Sequence, residues 1–168
     1  PLLMKAIFLF ITLAAATLGR AADIDQYNVV WDSPSADARG SMPIGNGDIG
    51  LNVWVDRAGD LCFFIGKTDA WDENVRLLKL TKVRVKFEPT LNVTNAFHWK
   101  LMLQDGAIDI QDGRTFARVW VDANHPVVQV DAKSLTGAPI AATATLEPWR
   151  RSKYALRNGT GADTHSAG

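Results

Sequence analysis

Asp69, Asp72 and Glu73 form the one close carboxylate group in a stretch without regular pattern, Gly66 to Asn74. Hydrolysis of a glycosidic bond needs two carboxyl groups set roughly 5–10 Å apart, one as acid and one as base or nucleophile. Asp69 and Asp72 could in principle reach that separation. The competing reading is that they cap the turn after Ile65 and face solvent. It is the stronger one, because a catalytic acid needs burial to raise its pKa and nothing in this stretch supplies it.

Other chemistries find less. The three histidines, His98, His125 and His165, show no metal-ligand spacing, and no CxxC is present. None of the serines lies in a GxSxG frame. Gly45-Asn46-Gly47-Asp48-Ile49-Gly50 is not a dinucleotide fingerprint, since that motif opens a helix and here a strand follows. Gly66-Lys67-Thr68 resembles the end of a P-loop but lacks the earlier glycine. No cofactor is expected. His98 sits among apolar neighbours on the outer side of a strand and reads as a surface or interface residue.

Composition narrows the class. Eighteen basic and eighteen acidic residues cancel, so no positive field attracts nucleic acid. Six tryptophans in a neutral chain fit sugar stacking or a buried interface, with the core the commoner place for any one of them. The single cysteine, Cys62, sits in Leu61-Cys62-Phe63-Phe64-Ile65 and reads as a small buried apolar residue. Met4-Lys5, the apolar run Ala6 to Leu18 and Gly19-Arg20-Ala21 have the layout of a secretory signal peptide, residues 1–21, cleaved after Ala21. The expected product is secreted or periplasmic, with no membrane span after cleavage.

The elements that must position these residues are strands. Gly45-Asn46-Gly47-Asp48 reads as a tight turn, because glycine, Asn and Asp accept left-handed backbone. From Ile49 the pattern alternates: Ile49, Leu51, Val53 and Val55 share one face. Asp56 to Asp60 is a hairpin loop with a late glycine, and Leu61 to Ile65 is apolar enough for a central strand. Thr81, Val83, Val85 and Phe87 face one way and Lys82, Arg84, Lys86 and Glu88 the other. Phe97 to Leu103, Ala107 to Ile110, Arg114 to Asp122, Val127 to Ala132 and Ile140 to Leu146 continue the pattern, with turns at Asp105-Gly106 and Asp112-Gly113. About eight or nine strands, joined by glycine-bearing turns and without a convincing helix, mean an all-β antiparallel sandwich over residues 22–149. Trp54, Phe116 and Trp120 fall on faces otherwise polar, so they are expected to need a cover: a second sheet, a sugar or another domain. Residues 150–168 lose the pattern and are expected to be a disordered or truncated tail.

Trp31, then Pro43-Ile44-Gly45-Asn46-Gly47-Asp48-Ile49-Gly50 leading into an apolar strand, resembles the start of bacterial glycoside hydrolases related to family 95, the α-L-fucosidases. Thr68-Asp69-Ala70-Trp71 sits where that family has an Asp-x-Trp loop. Arg118-Val119-Trp120-Val121-Asp122 through Pro126-Val127-Val128-Gln129-Val130 is similar to its following paired strands. The variant Lys67 to Asn74 looks more like a bacterial domain of unknown function found at the start of related secreted proteins. The resemblance, over about residues 27–147, implies a non-catalytic N-terminal β-sandwich. An (α/α)6 barrel, absent from this chain, would follow it and carry the catalytic carboxylates. The implied partners are carbohydrate and that catalytic domain of the same polypeptide, and no catalytic residue carries over. Asp69, Trp71 and Asp72 are the implied substrate-binding residues, Trp71 stacking on a sugar ring and the aspartates accepting its hydroxyl hydrogens. Trp54 and Trp120 would then be interface residues. A stand-alone carbohydrate-binding module and a structural cell-surface sandwich are the alternatives.

Overall fold

The computed structural model describes residues 23–148. The expected signal peptide and the tail 150–168 lie outside the described residues. The described residues form ten strands in two antiparallel five-stranded sheets packed face to face. The strands are β1 Val29–Trp31, β2 Met42–Gly45, β3 Ile49–Val55, β4 Leu61–Trp71, β5 Leu77–Glu88, β6 His98–Met102, β7 Ala107–Gln111, β8 Thr115–Val121, β9 Val128–Ser134 and β10 Ala141–Glu147. One sheet runs β1-β6-β7-β8-β9 and the other β10-β5-β4-β3-β2. Each is a four-strand meander extended by one strand from elsewhere in the chain: β1 joins β6, and β10 joins β5.

The alternating pattern sets the core. Leu51, Val53 and Val55 of β3, Leu61 and Phe63 of β4, and Val83, Val85 and Phe87 of β5 point inward and are buried. Trp99, Ile108, Ile110, Ala117 and Val119 meet them from the other sheet. Trp99 is fully buried, lies edge-on to Trp31 with ring centroids 4.9 Å apart, and donates its indole N–H to the Ser33 carbonyl at 3.0 Å. Burying the ring while leaving that N–H unpaired would cost most of the gain.

Two expectations change. β4 continues unbroken to Trp71, so Gly66 to Trp71 is strand, with register shifts against β5 at Ile65/Gly66 and between Gly66 and Trp71. The alternation is missing there because pairing with β3 ends at Lys67, and beyond it neither face of the strand meets the core. Trp54 is 4 % exposed, although it points away from the opposite sheet. Its cover is local: the Phe64 ring lies 5.2 Å away and the Lys82 ammonium 5.7 Å from the ring. Beside it, Arg84 binds Asp56 at 2.6 Å, Asp60 at 2.9 Å and Glu147 at 2.6 Å. The stems of these long side chains cover apolar surface while their heads pair. Trp54 therefore presents no face to a sugar or a second domain. Phe116 is half-buried under Lys133, 4.8 Å from its ring, and Trp120 is half-buried between Ala107 and Gln129 on neighbouring strands. Cys62 is fully buried beneath the Arg84 cluster, and burial pushes its thiol up to about 12.

Asp112 ties the turn between β7 and β8 to the segment after β5. Its buried carboxylate accepts the amides of Asn92 at 2.7 Å, Thr115 at 2.7 Å and Arg114 at 2.9 Å. Burial raises its pKa, but these amides and the Arg114 guanidinium outweigh it, so the group ends below the ordinary value of 3.8. A folded-state pKa below the unfolded one stabilises the fold above the unfolded value, and the contribution is lost as pH falls through the folded one. Asp112→Ala is expected to cost about 3 kcal/mol at pH 7 by denaturant titration, and the difference from the parent should shrink as pH falls below about 4. A pH-independent difference would refute the assignment.

Candidate functional site

Chemistry-bearing side chains gather at one end of the sandwich, where the β2–β3 turn, the β4–β5 ribbon and the β8–β9 loop meet. The turn is shaped by two glycines. Gly47 has φ +94°, and a Cβ on Gly45 would lie 2.5 Å from the Ile49 carbonyl oxygen. Asn46 then does two things. Its side-chain oxygen accepts the amides of Asp48 at 3.0 Å and Ile49 at 2.8 Å, closing the turn. Its side-chain nitrogen donates across the layers to the Asp122 carbonyl at 2.7 Å and more loosely to that of His125 at 3.5 Å.

From this turn the ribbon is tethered. The Thr68 amide donates to the Asp48 carbonyl at 3.0 Å and the Thr68 hydroxyl to the Asp48 carboxylate at 2.9 Å. Lys67 bridges Asp69 at 2.7 Å and Asp48 at 3.1 Å. The hydrogen bond from Lys67, then that from Thr68, holds the Asp48 carboxyl below its usual range, and Asp69 and Asp48 raise Lys67. In the facing loop Asp122 is lowered by the Asn124 amide and then by the His125 ring, whose Nδ1 lies 3.0 Å from its carboxylate. Asp48 and Asp122 are thus anionic acceptors at neutral pH, suited to hydroxyl hydrogens rather than to proton donation. Among the described residues no group of three or more His, Cys, Asp and Glu side chains converges as a metal site.

Beyond Thr68 the ribbon stands clear of both sheets. Asp69 is exposed and held by Lys67. Trp71 is 52 % exposed, pairs across the ribbon with Leu77, and donates its indole N–H to the Thr68 carbonyl at 2.7 Å, leaving the ring face open. Asp72 caps the ribbon tip: its carboxylate accepts the amides of Asn74 and Arg76, each at 2.9 Å, and the Arg76 guanidinium at 2.8 Å. The Arg76 amide is the leading cause of its lowered pKa. Asp69 and Asp72 therefore have separate cations, and Asp72 has a turn to hold. Glu73 is exposed beside them. At the tip Val75 takes φ +60° and is 78 % exposed. A β-branched residue in left-handed backbone is strained. Asp48, Lys67 and the Asp122–His125 pair belong to this end as much as Asp69 does. Sequence reading missed Asp48 because its partners Lys67 and Thr68 are distant in the chain, and the Asp122–His125 pair because only the Asn46 bond across the layers brings that loop to this end.

Asn46→Ala is expected to cost about 1–3 kcal/mol, read as a lower denaturant midpoint at unchanged slope. Asn46→Asp keeps the turn acceptor but loses the donor to Asp122, and should fall between alanine and the parent. Equality of the aspartate variant with the parent would mean that the cross-layer bond contributes nothing.

No curated protein matches this chain. Residues 30–167 match the profile DUF5703_N, described as "Domain of unknown function (DUF5703)". With more than half its length matched, the chain belongs to that family.

Proposed function

We propose that this β-sandwich is the non-catalytic N-terminal domain of an exported glycoside-hydrolase-like protein. It packs against a catalytic domain carried by the same polypeptide and helps shape the sugar site. The observation that carries the reading is the ribbon. Trp71, Val75, Leu77 and Leu80 are all at least half exposed, and they cluster on one two-stranded projection. Such a ribbon is marginal alone in water, and exposed apolar groups gathered on it mark a contact surface. The anionic acceptors Asp48 and Asp122 lie at its root, where sugar hydroxyls could be bound. The resemblance of Pro43 to Gly50 and of Thr68 to Trp71 to family 95 glycoside hydrolases supports the same reading, as does the signal-like leader.

One observation favours a second reading, a carbohydrate-binding module acting alone. Phe116, Arg118, Asp131 and Lys133 line an open depression of about 480 Å³ on the outer face of the β8–β9 pair, and Trp120 lies half-buried further along β8. Arg118 is fixed there by Asp109 at 2.6 and 2.7 Å.

The two readings separate by mutation. In a protein extended to include the catalytic domain, Trp71→Ala is expected to lower kcat/KM on the glycan by about tenfold, the size of one lost stacking contact. Unchanged kinetics together with unchanged domain docking would overturn the first reading. Glycan binding by the sandwich alone, lost in Trp120→Ala and kept in Trp71→Ala, would establish the second.

A further inference from the structure

Where the β4–β5 ribbon leaves the sandwich, its two strands fall out of step. Ile65 pairs with Thr81 and Gly66 with Lys79, so β5 carries Leu80 as an extra residue there. The next pair is Trp71 with Leu77. Between these last two pairs β4 runs from Lys67 to Ala70, while β5 has Leu78 alone. A bulge of this kind interrupts the ladder and lets a strand pair bend. From Gly66 to Leu80 no side chain is buried, so packing does not fix the angle at which the ribbon stands.

What spans the bulge is polar. Lys67 reaches back to Asp48 on the β2–β3 turn at 3.1 Å and forward to Asp69 at 2.7 Å. Thr68, held by the Asp48 carbonyl and carboxylate, accepts the Trp71 indole N–H on its own carbonyl at 2.7 Å. Beyond the bulge the tip is closed on itself. The Asp72 amide donates to the Arg76 carbonyl at 3.0 Å, and the Asp72 carboxylate holds the amides of Asn74 and Arg76. A closed tip, an interrupted ladder and two exposed braces make a jointed arm. We propose that the tip, Trp71 to Leu77, pivots as one body about the bulge at 67–70, and that Lys67 and the Trp71 indole brace it in the position seen. Exposed ion pairs and hydrogen bonds are individually weak, so both braces open without disturbing the sandwich. Opening them re-aims the exposed side chains of Trp71, Val75 and Leu77 together. The inference does not depend on what the ribbon touches, sugar or protein.

Spin labels on the full chain measure the angle. Cys62 is buried, so nitroxides attach only at the exposed positions of Glu73→Cys, on the tip, and Lys86→Cys, on the sandwich. Pulsed dipolar resonance between them should give one dominant distance. Adding Lys67→Met and Trp71→Phe should raise the ratio of molecules outside that peak to those within it about tenfold, the size expected for two exposed polar contacts. Lys67→Met alone should give a smaller change in the same direction. Nuclear Overhauser contacts between position 71 and Leu77 should persist throughout. An unchanged distance distribution would overturn the proposal, because the bulge would then be rigid without its braces. So would a parent distribution already as broad as the variant's. Loss of the contacts across the ribbon would overturn it as well, since the tip would have melted instead of turning.

Discussion

A single side-chain amide holds one end of this sandwich in register. Asn46 closes its own turn through its oxygen and crosses to the opposite sheet through its nitrogen. Hydrophobic packing between two sheets is nearly non-directional, so it resists sliding of one layer on the other less than it resists separation. A directional bond at the end of the layers supplies what packing lacks. Because Asp48 follows Asn46, the same turn also sets where Thr68 and Lys67 are caught, and so where the β4–β5 ribbon leaves the sandwich. Ribbon, turn and facing loop form one mechanical unit.

Where the sequence could be read, burial had written the period. The strands around Val83 and Val119 alternate cleanly because one face of each meets the core, and their expected positions agree with the structure. The same rule explains what was unreadable. Past Gly66 neither face is buried, so nothing selects alternation, and strand there looked like loop. β2 was hidden by Pro43, which an edge strand can hold, and by the glycines beside it. Trp54 was expected to need a second sheet, a sugar or another domain as its cover, because periodicity reports which way a side chain points and not what lies over it. Lys82 and the Phe64 ring do that here. Asp69, Trp71 and Asp72 stand together in the sequence, and the structure places them on the one β4–β5 ribbon. The partnership of Asn46 with a carbonyl 76 residues away was not legible, since no local pattern encodes it.

Charge is arranged for order at short range. The formal charges cancel over the whole chain, and the pairs are local: Arg84 with Asp56, Asp60 and Glu147, Arg118 with Asp109, Lys67 with Asp48 and Asp69. On the outer face of the β3–β4–β5 sheet this network serves as a lid over aromatic surface. Removing Arg84 would leave Asp56 and Asp60 without their cation and Glu147 with Lys82 alone, directly above the buried Cys62.

The lid has a consequence for the lone sulfur beneath it. With its proton held to about pH 12 and no exposed surface, Cys62 has almost no thiolate in neutral solution. Covalent dimers through that atom, and its capture by mixed disulfides in an oxidising compartment, are therefore suppressed while β4 stays in place. An alkylating reagent would meet the sulfur only in molecules whose sheet had come apart. The rate of its labelling is a native clock for that opening, and needs no added probe.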